Sequence, residues 1–167
     1  MKLSIDLSAG KKSDEKLIPQ FQKHAQAILK ALHFKSAGLS VILVRDKKMA
    51  QLNQKLMKHK GTTDVLSFSY IEKKGKVKLT SKVLSSDPPL FLGEIIVCLD
   101  VAERNAKEYG TSFEYECALY LCHGILHCLG YEDETKKGFN EMQGSQIKIL
   151  NKIFKSSVVS RQSLVDS

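Results

Sequence analysis

The sequence predicts a single α+β domain, α/β-like in its early part, with about four strands in a mixed sheet flanked by about five helices. Three observations predict it. Short β-branched or alternating runs recur at residues 2–7, Ala37 to Val44, Val65 to Tyr70 and Leu92 to Leu99. Longer segments with apolar residues at helical spacing lie between and after them. The early strands are separated by helices, which implies some parallel pairing, whereas the third and fourth strands have no helical crossover and can pair antiparallel.

Residues 2–7 alternate and read as a strand. From Glu15 to His33, Leu17, Phe21, Ala25, Ile28, Leu29 and Leu32 recur at helical spacing, with Pro19 tolerated in the first turn. Val41, Ile42 and Val44 mark a buried second strand. Asp46 is placed to N-cap a helix carrying Met49, Leu52 and Leu56. Between the third and fourth strands, residues 71–90 hold Lys73, Lys74, Lys76, Lys78 and Lys82 before Ser85-Ser86-Asp87-Pro88-Pro89. That reads as a long basic loop or ragged hairpin. Asp100 with Glu103, and Thr111 with Glu114, are capping-box patterns, and Gly110 suits the end of the helix between them. The helix after Thr111 has a wide apolar face, from Cys117 to Leu129, and belongs in the core. A last helix runs from about Glu134 to Phe154. The domain spans residues 1–155, and residues 156–167 form a polar, frayed tail.

Length, at 167 residues, suits one core. No run of eighteen apolar residues exists, and the N-terminus lacks the apolar stretch of a secretion signal. Cys98, Cys117, Cys122 and Cys128 fall in apolar segments without a C-x-x-C pair, so they read as reduced core residues of a cytoplasmic protein. The net charge of +8 favours a polyanionic partner, RNA before any membrane.

The chemistry concentrates in His123-Gly124-Ile125-Leu126-His127-Cys128-Leu129-Gly130-Tyr131-Glu132-Asp133. Histidines four apart on a helix stack on one face, where two nitrogens can converge on one ion. Gly130 lets the chain turn back, and carboxylates follow. H-x-x-x-H-x-x-G is the front half of the metzincin zinc pattern, whose next ligand falls at Asp133. Glu132 and Glu134 are rival ligands, and Asp133 could instead N-cap the last helix. Gly124 stands where a zinc peptidase carries its glutamate base, which disfavours peptide hydrolysis.

The same segment resembles the signature H-G-x-L-H-L-x-G-Y-D-H of the YbeY family of metal-dependent endoribonucleases. Leu52-Asn53, Thr63-Asp64-Val65-Leu66-Ser67-Phe68, Leu92-Gly93-Glu94-Ile95, Glu116 and Met142 extend the resemblance, in order, over roughly residues 50–150. The resemblance implies a single-strand-specific endoribonuclease acting in rRNA maturation and ribosome quality control. It implies one divalent ion, zinc first, held by His123, His127 and Asp133. Partners would be single-stranded RNA or rRNA and the small ribosomal subunit, with no membrane and no DNA. Lys58, His59 and Lys60 would approach the RNA backbone, and Thr63, Asp64 and Ser67 would line the cleft.

Two positions depart from the pattern. Asp133 replaces the third histidine, with Glu132 before it in place of aspartate. Met57 stands where the family has an arginine thought to contact the phosphate. Three rival readings follow: a non-catalytic ribosome-assembly factor with a structural metal, a different metal-dependent hydrolase, and a purely structural role in which hydrogen bonds satisfy both histidines. No residue is assigned a catalytic role from sequence.

Overall fold

A computed structural model describes residues 1–72 and 74–154 of the chain. The strands are β1 (Lys2–Ala9), β2 (Ser36–Val44), β3 (Val65–Ser69) and β4 (Phe91–Cys98). The helices are α1 (Ile18–Ala31), α2 (Asp46–Met57), α3 (Ser81–Leu84), α4 (Leu99–Tyr109), α5 (Phe113–Cys128) and α6 (Lys136–Phe154), with a 3-10 segment at Lys12–Leu17. The four strands form one sheet in the order β1-β2-β4-β3. β1 pairs parallel with β2, and β2 parallel with β4, while β3 pairs antiparallel with β4. This is the mixed sheet expected from the spacing of the elements.

Strand alternation divides the core between the two faces of the sheet. Leu39, Val41 and Leu43 of β2, with Ile95 and Val97 of β4, face the larger cluster built with α1, α5 and α6. Val44, Ile96 and Cys98 face the other way, against Met49 of α2 and Leu66 of β3. β4 is thus covered on both faces from Ile95 to Cys98, which explains the apolar run there. On the larger side α5 crosses close to the sheet. A Cβ on Gly124 would come within 2.8 Å of the Ile95 side chain. The glycine that removes a peptidase base therefore also permits close packing of helix on sheet.

The described residues contain one helix more than the five expected. Within residues 71–90 a single turn, α3, is capped by Thr80, whose hydroxyl accepts from the Val83 N–H at 3.3 Å. The segment otherwise connects the antiparallel β3 and β4 as a long hairpin link. Lys73 and the tail 156–167 lie outside the described residues.

Three capping assignments differ from expectation. Asp46 opens α2 rather than capping it, and its carboxylate accepts from Arg104 at 2.9 Å. α4 begins at Leu99, and Asp100 with Glu103 forms no box; both carboxylates accept from Arg45 Nη1, at 2.9 and 3.1 Å. α5 is capped by Ser112, whose Oγ accepts from Tyr115 N at 3.0 Å, while Thr111 donates to Glu116. In the first two cases a distant cation claims the carboxylate that the local pattern would have used. Arg45 also pairs bidentately with the buried Asp14, at 2.7 and 3.0 Å. The guanidinium, through its hydrogen bonds, holds the Asp14 carboxyl below its usual range. That contribution is complete above about pH 4 and is lost as the pH falls through the lowered value.

Candidate metal centre

α5 carries His123 and His127 one turn apart, with both imidazoles about a quarter exposed. Behind His127 the helix ends on Leu129, and Gly130 takes a φ of 89°. The Tyr131 N–H returns to the Leu126 carbonyl at 3.0 Å, closing the turn. The reversed chain carries Asp133 back over the histidines. Its Oδ2 lies 3.4 Å from His123 Nε2 and 3.5 Å from His127 Nε2. The two Nε2 atoms are 2.9 Å apart.

These distances suit a small cation. Ligand atoms about 2.0–2.1 Å from a tetrahedral centre are separated from one another by roughly 3.3–3.4 Å. The hydrogen bonds at the far sides of the rings suit it too. His127 Nδ1 lies 3.0 Å from the Tyr131 carbonyl, which can only accept, so Nδ1 carries the proton. His123 Nδ1 lies 2.6 Å from Gln146 Oε1 and donates to it in the same way. Both Nε2 atoms then present lone pairs toward each other, an arrangement that a cation between them resolves. Burial, the main cause, pulls the His123 imidazole below its ordinary pKa, and the neighbouring His127 acts in the same direction. His123 is therefore uncharged at neutral pH, as a ligand must be. The Gln146 hydrogen bond opposes that shift, as do the carboxylates of Asp64 and Asp133.

Among the described residues, His123, His127 and Asp133 are the group whose ligand atoms converge. Glu132 and Glu134 do not join it. Nor does Asp133 cap α6, for Thr135 Oγ1 accepts the Gly138 N–H at 3.0 Å. Cys128 is no competing ligand, because burial pushes its thiol up to about 12.

Asp64 and Ser67 line the cleft in front of the histidines, together with Met57 and Glu132. Asp64 Oδ1 is fixed by the Val65 N–H at 2.8 Å and by the Thr63 hydroxyl at 3.2 Å, so Thr63 acts on the cleft through Asp64. Lys58, His59 and Lys60 are exposed in the turn after α2, beyond Met57, and do not line that cleft. Asn53 ties the turn down through its Nδ2–H to Gly61 O at 3.0 Å.

Two residues escaped the sequence reading. Ser69 lines the cleft and donates to the Cys128 carbonyl at 2.7 Å, joining β3 to the end of the histidine helix. Gln146 orients His123 from α6 and is itself buried. Replacing Gln146 with Leu is expected to weaken metal binding about 10- to 100-fold, the range for outer partners of ligating histidines. Competition with a fluorescent chelator measures it.

Fold and site together define a mixed-sheet α+β protein with a His-His-carboxylate cluster able to hold one divalent cation. The family described as Endoribonuclease YbeY matches residues 5–154. An endoribonuclease YbeY of Frankia alni is 41% identical over 68% of this chain and 62% of its own length. The chain thus spans less than two thirds of that relative. One from Staphylococcus aureus is 38% identical over 69% of this chain and 72% of its own. A Thermotoga maritima protein solved in solution has a similar fold, with a TM-score of 0.55 and 25% identity over 92% of this chain and 93% of that one. The chain belongs to the family described as Endoribonuclease YbeY.

Proposed function

We propose that the chain is a single-strand-specific, metal-dependent endoribonuclease acting in rRNA maturation and ribosome quality control. The observation that carries the metal dependence is the convergence of His123, His127 and Asp133 within ligand-to-ligand distance, with both imidazole tautomers set by their other nitrogens. These three residues would hold one divalent ion. Two nitrogens and one carboxylate are a donor set that zinc would accept, with room for a substrate oxygen beside it. When bound, the ion supplies Lewis acidity toward a phosphoryl oxygen.

The chain's own residues set the rest. Asp133 and Asp64 concentrate negative charge beside His123 and attract the cation. Gln146 and the Tyr131 carbonyl keep both Nδ1 protons away from the cleft. Lys58, His59 and Lys60 are exposed directly after the cleft residue Met57, and the lysines would meet phosphates. With a net charge of +8, affinity for RNA should fall steeply with salt. No helix among the described residues is long and apolar enough to cross a membrane. All four cysteines are free and buried, which suits a cytoplasmic site of action.

Cleavage of rRNA by the purified chain, with chelator and then with zinc restored, tests the reading. Activity lost and regained supports it; a folded, metal-loaded and inactive chain overturns it. Met57 favours the non-catalytic alternative, because it lines the cleft where the family pattern has an arginine. Replacing Met57 with Arg should raise kcat/KM about tenfold, as one added charged contact is worth about 1.4 kcal/mol in the transition state. It should also steepen the salt dependence of single-strand binding by about 0.7 in slope, one phosphate contact's worth. Steady-state cleavage and binding across a salt series measure the two effects.

A further inference from the structure

The groove between α5 and α6 is continuous with the histidine cluster but has a different chemistry. A cavity of about 180 Å³ is walled at one end by Asp64, His123 and Asp133. Away from that end its lining includes Leu119 of α5 and Phe139, Met142, Gln143 and Ile147 of α6, none of them charged. The α6 residues fall at i, i+3, i+4 and i+8, one face of the helix. Met142 is buried and forms the floor, whereas Phe139 is 46% exposed at the rim. Phe139 is held at the start of α6 by its own N–H, which donates to the Thr135 carbonyl at 2.9 Å.

We propose that this groove is a nucleobase subsite, taking the base of a nucleotide whose phosphate lies at the histidine end. The assignment rests on the RNA-cleaving reading above and names the part of the substrate that reading leaves unplaced. The walls beyond the cluster carry no cation to hold a phosphate, so the occupant of that end is neutral. An apolar floor under an exposed aromatic ring suits a flat ring system, since base–aromatic stacking is available to every base. Cavities of about 150 Å³ already admit benzene. The Gln143 amide offers a donor and an acceptor for the polar edge of a base. A base held in a duplex could not enter, so the groove selects single-stranded RNA.

The chain contains no tryptophan, so Phe139→Trp introduces a single reporter at the rim. Its fluorescence should be quenched by a single-stranded RNA decamer and not by an abasic decamer of equal charge. In the otherwise native protein, Phe139→Ala should weaken decamer binding about tenfold, within the roughly five- to hundredfold range of lost stacking, while Phe139→Tyr keeps wild-type affinity. Phe139 is exposed enough that truncation should leave the fold intact, and circular dichroism checks this. Equal response to the abasic decamer, or unchanged affinity in Phe139→Ala, overturns the subsite while RNA binding and cleavage stand. Absence of any decamer binding by the unmodified protein in fluorescence anisotropy overturns the RNA reading, and the subsite with it.

Discussion

Replacing His127 with Ala is expected to abolish metal-dependent stabilisation and metal-dependent RNA cleavage together. In the wild-type chain, zinc at about 100 times its dissociation constant should add about 2.7 kcal/mol to stability. For a protein of this size that raises Tm by about 5–10 °C. The variant keeps His123 and Asp133 but loses the nitrogen lying 2.9 Å from one and 3.5 Å from the other. Its affinity should fall by more than the 10- to 100-fold typical of an outer partner, so the same zinc concentration should leave Tm unmoved.

The metal-free variant should differ little from metal-free wild type. It loses one hydrogen bond, from Nδ1 to the Tyr131 carbonyl, worth about 1 kcal/mol. It also loses the unfavourable opposition of two Nε2 lone pairs. Calorimetry with and without zinc, beside metal analysis of the protein, separates these effects. A full zinc-induced shift in the variant would place the ion elsewhere. Protons compete with the metal, so the shift should shrink as the pH falls through the histidine range. Burial of His123 delays that competition toward lower pH.

Much of this centre was legible because its parts are close in sequence. Two histidines, a glycine and an aspartate within eleven residues need only helical periodicity and one reversal to meet. The return of Asp133 in preference to Glu132 or Glu134 needed the turn itself. Gln146 was out of reach because it acts across 23 residues and a helix–helix interface. A trace of it exists: on α6 the buried stripe Met142, Gln146, Ile149, Leu150 contains one polar side chain, and a buried amide needs a partner.

The fold shows the same limit. The order and pairing of the strands follow from patterning and from where crossover helices fall. The Asp100/Glu103 capping box failed because a four-residue pattern carries no information about Arg45, which reaches Asp14, Asp100 and Glu103 from 31 to 58 residues away. Sequence periodicity reports faces of elements; it does not report which distant charge a given carboxylate meets.

Gly130 joins the local and the distant constraints, and its substitution should be costly on both counts. With φ at 89°, alanine there meets the left-handed penalty of about 1–2 kcal/mol. Its Cβ would also collide with the Gly75 carbonyl and lie 2.9 Å from Lys76 Cα, backbone atoms that no rotamer change can move. That backbone belongs to the link between β3 and β4, which is fastened to the histidine helix where Val77 N–H donates to the Leu129 carbonyl at 2.8 Å. Lys76 completes the clasp, 4.7 Å over the Tyr131 ring and 3.7 Å from Glu141. To accept the methyl group, either the link must lift or the turn must shift, and the turn is what delivers Asp133. We expect Gly130→Ala to lose about 3 kcal/mol, a fall in Tm of about 6–12 °C, with metal affinity reduced as well. Gly75→Ala is the control. It has a similar φ of 81° but nothing within 4 Å of the new Cβ, so it should cost only the backbone penalty and leave metal binding intact. Equal losses in the two variants, measured by denaturant unfolding and zinc titration, would show that the close approach of link and turn carries no weight. A larger loss in Gly130→Ala, with weakened zinc binding, would show that the basic link braces the metal-binding turn.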